Sequence, residues 1–349
     1  MNVTFLIGNG FDLHLGLKTR YSQFLHWYVE TSSADLDIFA FKEGLKAESS
    51  SGLWWSDAEI AMGAMFGEYT DENIEKYYKC IRDFKQQLVV YLHSEQERCD
   101  YSNRTEIAKK FRYFLQTYQS EIMLNQSAEY FQRKNENAFF FFINFNYTDT
   151  LMNIIQCCGG PRGVIGNYEY AGGSYLDSIR EVIPIHGDLS SSIIMGVNDE
   201  SQIRNNEGVL SPKAQRTLIK PAVNKALNRS EDTRAEKAIA NSDSIVLYGL
   251  SIGETDQKWW NLLREWMLRS ATHRIVLFAR SNQDDFDPTI PEDLLDYVEG
   301  QKESLLSKFK VSKDHKSYEQ LKQQIFIIRN TKKLNFDIVK DKEPAGALS

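Results

Sequence analysis

A glycine-rich turn near the start of the chain is the first feature that could do chemistry. An apolar run, Asn2 to Ile7, ends in Gly8-Asn9-Gly10, which is followed by Phe11 and Asp12. Glycines here let the backbone turn tightly and approach a ligand, and the amides of the following helix can point at a phosphate. The dinucleotide fingerprint is incomplete because Leu13 occupies the place of its third glycine. We predict a nucleotide-phosphate site, where Asp12 could bind a ribose hydroxyl, orient a water molecule or cap the helix.

A second apolar run, Ala138–Phe145, ends in a group of polar residues. It delivers amide, hydroxyl and carboxylate groups to one edge of the predicted sheet, in Asn146, Tyr147, Thr148 and Asp149. In open α/β sheets, ligands bind outside the carboxyl ends of the strands. Asn146 could therefore hold a ribose or position a water molecule, or it could cap a helix over Asp149–Ile155.

A histidine follows a third apolar run, Val182–Ile185. His186 stands next to Gly187 at the predicted strand end, in a chain with only six histidines. Histidine titrates near neutral pH, so it can pass a proton or hold a sugar hydroxyl. A lone histidine is more often structural, but this position favours a role in a site.

Another glycine-bearing turn, Gly249-Leu250-Ser251-Ile252-Gly253, follows the run Ser244–Tyr248. It matches the G-x-S-x-G pattern of a hydrolase nucleophile elbow. A catalytic triad would also need an acid and a histidine after the serine, and only His273 and His315 follow it. The esterase interpretation is therefore weak, and we expect Ser251 to bond a phosphate or cap a helix.

One polar group lies outside these strand ends. Trp54 and Trp55 precede Ser56, Asp57 and Glu59 at the start of a predicted helix. The simplest interpretation is an N-cap by Ser56 with packing by the tryptophans. A role for Asp57 or Glu59 in the site stays open.

The elements that must position these residues are the strands of one sheet. Short apolar runs, separated by stretches long enough for crossovers, predict a doubly wound parallel α/β sheet. The remaining predicted strands are Ile193–Val197, Arg274–Ala279 and Gln324–Ile328. Apolar residues between Tyr21 and Asn137 recur at helical spacing instead. We predict a Rossmann-like nucleotide-binding domain from residues 1–24 and 138–345, with a large helical insertion over residues 25–137.

Three segments complete the predicted organisation. The six glycines within Gly159 to Gly173 predict a mobile connection rather than an element. The tail from Lys332 is assigned no chemistry, although Leu334, Phe336 and Ile338 alternate as in an edge strand. The apolar stripe of the insertion, Ile74 to Leu92, could form a homo-oligomer face, but such stripes are more often intramolecular core.

Composition limits the class of function. The net charge is -7 and no long run of lysine or arginine occurs, which argues against a nucleic-acid partner. The four cysteines show no C-x-x-C spacing, so we expect reduced thiols and no metal site. The first residues lack a positive n-region, and no apolar run approaches the ~20 residues that cross a bilayer. We therefore expect a cytoplasmic protein without a signal peptide or a membrane partner.

The set and order of these motifs resemble the AbiH family of bacterial phage abortive-infection proteins. The matching residues are Ile7-Gly8-Asn9-Gly10-Phe11-Asp12 with Gly16-Leu17 and Tyr21, Trp55-Ser56-Asp57-Ala58-Glu59, Phe145-Asn146-Tyr147-Thr148-Asp149-Thr150-Leu151, His186-Gly187, and Gly249-Leu250-Ser251 with Asp256. This resemblance implies a role in antiviral defence, started by an unknown phage trigger.

The same order is similar to the sirtuin-like NAD-binding fold. That resemblance implies NAD as substrate or ligand, with Asn146, His186 and Asp12 as catalytic residues. The nucleotide-binding residues that it implies are Gly8, Asn9, Gly10, Phe11, Gly16, Tyr147, Gly249, Ser251 and Asp256.

Departures from the sirtuin-like pattern limit what it implies. The zinc-ribbon cysteine pairs of sirtuin deacylases are missing, so neither a structural zinc nor lysine deacylation is implied. Asn9 and Phe11 replace small residues in the glycine turn, and Thr148 stands where the pattern usually has Asp. The pocket could therefore accept a different nucleotide, or bind NAD without cleaving it.

These resemblances lead to one hypothesis and two rivals. The leading hypothesis is hydrolysis of the nicotinamide–ribose bond of NAD, with phosphate at Gly8 and Gly10, a water positioned by Asn146, and His186 at the ribose. The first rival is a nucleotide-binding sensor that signals through its insertion without catalysis. The second is a nuclease or other nucleic-acid-directed toxin, which the acidic charge disfavours.

Overall fold

The computed structural model describes residues 1–47, 52–125, 136–170, 172–205, 208–280, 287 and 289–340. Its strands are β1 (Asn2–Ile7), β2 (Phe139–Asn144), β3 (Val164–Tyr170), β4 (Gly173–Pro184), β5 (Ser244–Tyr248), β6 (Arg274–Ala279) and β7 (Ile325–Arg329). They form one sheet in the order β3-β4-β2-β1-β5-β6-β7, in which all neighbours run parallel except β3, which is antiparallel to β4. The protein is therefore a mixed α/β structure with a mostly parallel sheet, as predicted.

Helices fill the intervals between the strands. Their bounds are α1 (Gly10–His14), α2 (Tyr21–Glu30), α3 (Leu36–Ala47), α4 (Leu53–Ser56), α5 (Ala58–Phe66), α6 (Ile74–Gln96), α7 (Arg104–Thr117), α8 (Thr150–Cys157), α9 (Pro212–Leu218), α10 (Lys220–Ala226), α11 (Glu231–Ala240), α12 (Gln257–Arg269), α13 (Pro291–Lys308) and α14 (Tyr318–Gln323). Single 3-10 turns occur at Tyr118–Glu121, Met123–Asn125, Glu200–Gln202 and Glu254–Asp256. Within the described ranges, no helix is both long and apolar enough to cross a membrane.

The central strands explain why the sheet could be predicted. β1 lies between β2 and β5, and all of its residues except Asn2 are buried. A parallel strand covered on both faces reads as a continuous apolar run, which is what Asn2 to Ile7 shows. The chain builds β2 and β4 on one side of β1 and then β5, β6 and β7 on the other, so the strand order reverses at β1.

Two predicted segments were wrong. Ile193–Val197 is not a strand; it forms a single bridge, Val197 with Ile219, and its Ile194, Met195 and Val197 are buried. An apolar run indicates that its residues are buried, but not what buries them. The side chains of this run pack against helices rather than within the sheet. Gly159 to Gly173 is not a structureless connection either, because it contains β3, which pairs with β4 in a hairpin.

The buried side chains form three clusters. Two cover the faces of the sheet, and α7 belongs to one of them through Ile107, Phe111 and Phe114. The third joins α2 to α6 with residues from the connection after β4, among them Met195 and Leu218. The predicted boundaries of the insertion, 25–137, stay a prediction, but its apolar packing extends beyond them into that connection.

The long amphipathic helix of the insertion is α6. Its apolar stripe, including Tyr77, Ile81, Phe84 and Leu88, lies inside the third cluster. A stripe buried within the chain leaves no apolar face free on that side of α6. The stripe is thus intramolecular core, and a homo-oligomer through the insertion stays a prediction.

Candidate functional site

A cavity of about 700 Å³ lies at the carboxyl ends of the central strands. Reversal of strand order at β1 opens a crevice there, because the crossovers on its two sides run in opposite directions. Ten predicted site residues line the cavity, namely Gly8, Asn9, Gly10, Asp12, Asn146, Tyr147, His186, Gly249, Ser251 and Asp256. The fold thus brings together residues separated by more than 240 positions in the chain.

Two predicted site residues lie elsewhere. Phe11 is buried in a sheet-face cluster with its ring edge-on to Tyr248, at a centroid distance of 6.0 Å. Gly16 has φ of +95° at the end of the first turn region, next to Val339. Neither residue lines the cavity.

The glycines after β1 and β5 pack directly against each other. A Cβ at Gly10 would lie 2.4 Å from the Cα of Gly249, which itself has φ of +67°. The amide of Gly10 donates to the carbonyl of Gly249 at 2.8 Å, and the amide of Gly8 donates to the carbonyl of Tyr248 at 2.9 Å. We call the Gly10–Gly249 pair the glycine contact. Both amides of the β1 turn glycines are used within the protein, so a phosphate contact from them stays a prediction.

Asp12 occupies the centre of the cavity wall. Its side chain is 1 % exposed, and one carboxylate oxygen accepts a hydrogen bond of 2.5 Å from the Thr148 hydroxyl. Burial raises the pKa of Asp12 to about 7, although the Thr148 and Asn146 side chains lower it. Since the N-cap position of α1 is Asn9, Asp12 is not the helix cap. A carboxyl that exchanges its proton near neutral pH is suited to general acid–base catalysis.

Asn146 lies beside Asp12 in the loop after β2. Its backbone amide donates to the Asn144 side chain at 3.2 Å, and the Asn144 amide donates back to the Asn146 carbonyl at 3.3 Å. The side-chain amide of Asn146 is buried, and neither of its polar atoms has a well-formed hydrogen bond to any residue that the structure describes. A buried amide without such bonds costs free energy unless a ligand or water satisfies it. We call Asp12 and Asn146 the acid–amide pair.

The capping alternative for Asn146 is wrong. α8 begins at Thr150, and Asp149 occupies its N-cap position. The β2 loop therefore turns Asn146 toward the cavity, which it lines, rather than toward the end of the helix.

His186 is part of a buried charged network. Its Nε2 lies 3.0 Å from Oδ1 of Asp256, and the same oxygen accepts a hydrogen bond of 2.9 Å from Nζ of Lys220. Lys220 also donates to Oε2 of Glu59 at 3.0 Å. Burial raises the pKa of Asp256, but the Lys220 and His186 charges outweigh burial and hold that pKa well below its usual range. The Asp256 carboxylate in the cavity wall is therefore ionised.

Tyr147 connects the sheet to this network. Its hydroxyl donates to Oε1 of Glu59 at 3.2 Å, and the backbone amide of Gly196 donates to the same oxygen at 3.2 Å. Burial, together with the nearby Tyr21 hydroxyl and the Glu59 carboxylate, holds the pKa of Tyr147 well above its usual range. Tyr147 is therefore a neutral hydrogen-bond donor that fixes Glu59.

The start of α5 differs from the prediction in one respect. The N-cap residue is Asp57 rather than Ser56, and its carboxylate accepts hydrogen bonds from the amides of Glu59 and Ile60. Trp54 and Trp55 are buried, which agrees with their predicted packing role. The cap fixes the first turn of α5, from which Glu59 reaches the cavity.

Glu59 and Lys220 are the candidate site residues that sequence reasoning left undecided or missed. Glu59 was noted without a role, and nothing around Lys220-Pro221 signals a buried charge. The two side chains meet across 161 positions of sequence. Only the fold reveals that contact.

Ser251 is not a nucleophile at a tight strand-to-helix turn. It is exposed, and α12 begins six positions later at Gln257, so Ser251 does not cap a helix either. His273 stacks on Trp266 and its Nδ1 lies 2.6 Å from the Trp266 carbonyl, while Nδ1 of His315 accepts from the amide of Ser317. The esterase alternative therefore has no triad.

The charges around the cavity are unequally distributed. The ends of β2 and β4 face the carboxylates of Glu59, Asp57 and Asp256, whereas Arg280 and Lys308 line the cavity near the end of β6. Arg280 has no ion pair within the described ranges, and Lys308 donates to the carbonyl of Ser251 at 3.1 Å. We call these regions the carboxylate wall and the cationic end. Among the described residues, no group of three or more His, Cys, Asp or Glu side chains could hold a metal ion.

Comparison with known proteins identifies the family. The model of the family described as "Bacteriophage abortive infection AbiH" matches residues 4–278, which include every residue of the acid–amide pair and the buried charged network. The chain therefore belongs to the AbiH family, and this membership implies a function in phage abortive infection. No curated protein matches the sequence.

Proposed function

We propose that this AbiH-family protein hydrolyses the nicotinamide–ribose bond of NAD and so drains the cofactor during phage infection. The acid–amide pair carries the proposal. It combines a carboxyl with a pKa of about 7 and an amide without a well-formed hydrogen bond to the described residues, both buried at a cavity of about 700 Å³. These are the groups that water activation at neutral pH requires.

The sheet supports a dinucleotide as the ligand. Apart from the hairpin strand β3, the strand order and its reversal at β1 are those of the Rossmann-like fold, which binds dinucleotides at the reversal. The cavity runs from the end of β4 to the end of β6, four strand spacings apart, or roughly 19 Å at about 4.8 Å per spacing. That length suits an extended dinucleotide better than a single nucleoside.

The charge distribution gives the ligand a direction. Oxidised NAD carries a cationic pyridinium at one end and an anionic pyrophosphate further along. The carboxylate wall, formed by Glu59, Asp57 and Asp256, suits the pyridinium, and the cationic end, formed by Arg280 and Lys308, suits phosphate. The scissile bond then lies beside Asp12 and Asn146.

The reaction follows from this orientation. As the bond between ribose C1′ and the pyridinium nitrogen breaks, its electron pair goes to that nitrogen and nicotinamide leaves neutral. The resulting oxocarbenium character is stabilised by the carboxylate wall, because opposite charges attract more strongly where the protein reduces solvent screening. Asn146 orients a water molecule whose oxygen bonds C1′, and ionised Asp12 takes its proton. His186 holds a ribose hydroxyl, and the products are nicotinamide and ADP-ribose.

The direct test is nicotinamide release from NAD by the purified protein, with and without lysate of phage-infected cells. Asn146→Ala and His186→Ala are expected to abolish release while the far-ultraviolet circular dichroism stays that of the wild type. Asn241→Ala and His315→Ala, exposed residues outside the cavity, are the matched controls. No nicotinamide from the wild type under either condition would reject the hydrolase.

A nucleotide sensor without catalysis is the second candidate. One observation favours it: Glu59, which belongs to the predicted insertion, lines the cavity and forms an ion pair with Lys220. Ligand binding could thereby change how the helices pack on the sheet. ADP-ribose binding measured by calorimetry, without any turnover of NAD, would support the sensor over the hydrolase.

A further inference from the structure

Lys220 is a buried cation held between two parts of the protein. Its side chain is 6 % exposed, and its Nζ contacts Glu59 on α5 at 3.0 Å and Asp256 after β5 at 2.9 Å. Burial lowers the pKa of Lys220, but the Asp256 and Glu59 charges outweigh burial and raise it above its usual range. Lys220 therefore stays charged, and it links the helical region to the sheet.

The backbone around Lys220 leaves the side chain little freedom to move. Its amide donates to the Val197 carbonyl at 3.0 Å, and the Val197 amide donates to the Leu218 carbonyl at 2.7 Å. A Cβ at Gly196 would lie 2.2 Å from the Leu218 carbonyl oxygen, so this approach requires glycine. Since the Gly196 amide also bonds Glu59, the acid and the lysine are fixed by the same short segment.

One oxygen of Asp256 meets both Lys220 and His186. Oδ1 lies 2.9 Å from Nζ of Lys220 and 3.0 Å from Nε2 of His186. The Asp256 side chain is only 20 % exposed, so its carboxylate would turn or take up a proton if its cation were removed. The orientation of His186 therefore depends on a lysine that does not line the cavity.

We propose that Lys220 is a positioning residue that fixes the Asp256 carboxylate and, through it, the His186 imidazole in the site. The expected fall in kcat rests on the proposed function, whereas the expected change in the position of His186 does not. Lys220 also supplies one positive charge to its two carboxylate partners, Glu59 and Asp256.

The experiment compares the buried Lys220 with the half-buried Lys85. Lys85 serves as the matched control, because its Nζ donates to the carbonyls of Met195 and Thr217 at 2.8 Å and so ties the same connection without touching the carboxylates. Lys220→Met is expected to lower kcat for NAD about tenfold or more with KM within about threefold, because misplaced groups slow chemistry more than binding. Lys85→Met is expected to keep kcat within about twofold of the wild type.

A double-mutant cycle separates positioning from a general loss of structure. If Lys220 acts through Asp256, Lys220→Met has little further effect on kcat in an Asp256→Asn background. Lys85→Met has the same small effect in both backgrounds. Full additivity of Lys220→Met and Asp256→Asn would overturn the proposal.

A readout without turnover covers the case in which the hydrolase proposal fails. The imidazole ¹⁵N–¹H signals of His186, assigned by their loss in His186→Gln, are expected to shift or broaden in Lys220→Met and not in Lys85→Met. If Lys220→Met does not fold, the charge-balanced Lys220→Met/Glu59→Gln protein is used, with Glu59→Gln alone as its control. Unchanged His186 signals in the folded variant would reject Lys220 as a positioning residue, whatever the outcome with NAD.

Discussion

The glycine contact and the acid–amide pair lie on the same cavity but differ in how their polar groups are used. The amides of Gly8 and Gly10 are hydrogen-bonded to the β5 side, whereas the Asn146 amide has no well-formed hydrogen bond to the described residues. The first region is complete without a ligand, and the second is not. The motif that is easiest to recognise in the sequence therefore builds the frame, while less conspicuous residues are left available for chemistry.

The largest effect is expected at the acid–amide pair. Asp12→Asn removes the proposed base but keeps an oxygen that can accept from Thr148, so nicotinamide release is expected to fall at least about 100-fold with the fold intact. Release is measured across pH 5 to 9, and wild-type kcat/KM is expected to decline below pH about 7 as Asp12 takes up its proton. A wild-type profile that is flat from pH 5 to 8 would contradict this role.

The same substitution is expected to stabilise the protein. Burial raises the pKa of Asp12 from 3.8 to about 7, so between these values the unfolded chain ionises Asp12 while the folded chain keeps the proton. Unfolding then releases a proton, and this contribution to the free energy of unfolding falls as pH rises through that window, by up to about 4 kcal/mol. Urea unfolding at pH 4.5 and 8 measures it, as a wild-type disadvantage relative to Asp12→Asn that is much larger at the higher pH.

The glycine contact should respond in the opposite way, with a loss of stability. Gly10→Ala would put a Cβ 2.4 Å from the Cα of Gly249, where backbone meets backbone, so we expect a loss of about 2–4 kcal/mol in the free energy of unfolding. Gly44→Ala is the matched control, because Gly44 lies within α3 with nothing within 4 Å of the new Cβ. That control should gain about 0.5–1 kcal/mol by helix propensity. Equal stability of the two variants would mean that the glycine contact is not tight.

The smallest effect is expected at the cationic end. Arg280→Gln should raise KM for NAD about three- to tenfold without changing kcat, because an exposed cation attracts phosphate in bound substrate and transition state alike. The effect should shrink as salt is raised, since exposed charges are screened. Arg216→Gln, an exposed residue of α9 outside the cavity, should leave KM unchanged. A lowered kcat in Arg280→Gln would move the reacting bond toward the cationic end.

Strand prediction succeeded where the apolar residues are buried within the parallel sheet. β1, β5 and β6 are apolar because other parts of the protein pack on both faces of the parallel sheet at these strands. Their predicted ranges match the observed ones. Prediction failed at Ile193–Val197, whose side chains pack among helices, and at Gly159 to Gly173, where the edge strand β3 has too mixed a sequence to be recognised. Hydrophobicity alone does not tell which surface covers a residue.

The sequence by itself determined the parallel sheet, the turns at the ends of its strands and the membership of the family. These depend on local patterns that short segments carry within themselves. The tertiary structure alone decided that the Gly8 and Gly10 amides are occupied, that burial raises the pKa of Asp12, and that Lys220 joins Glu59 to Asp256. Solvation and charge pairing depend on which groups the fold brings within a few ångströms of one another. For residues far apart in the sequence, that distance cannot be read from their order along the chain.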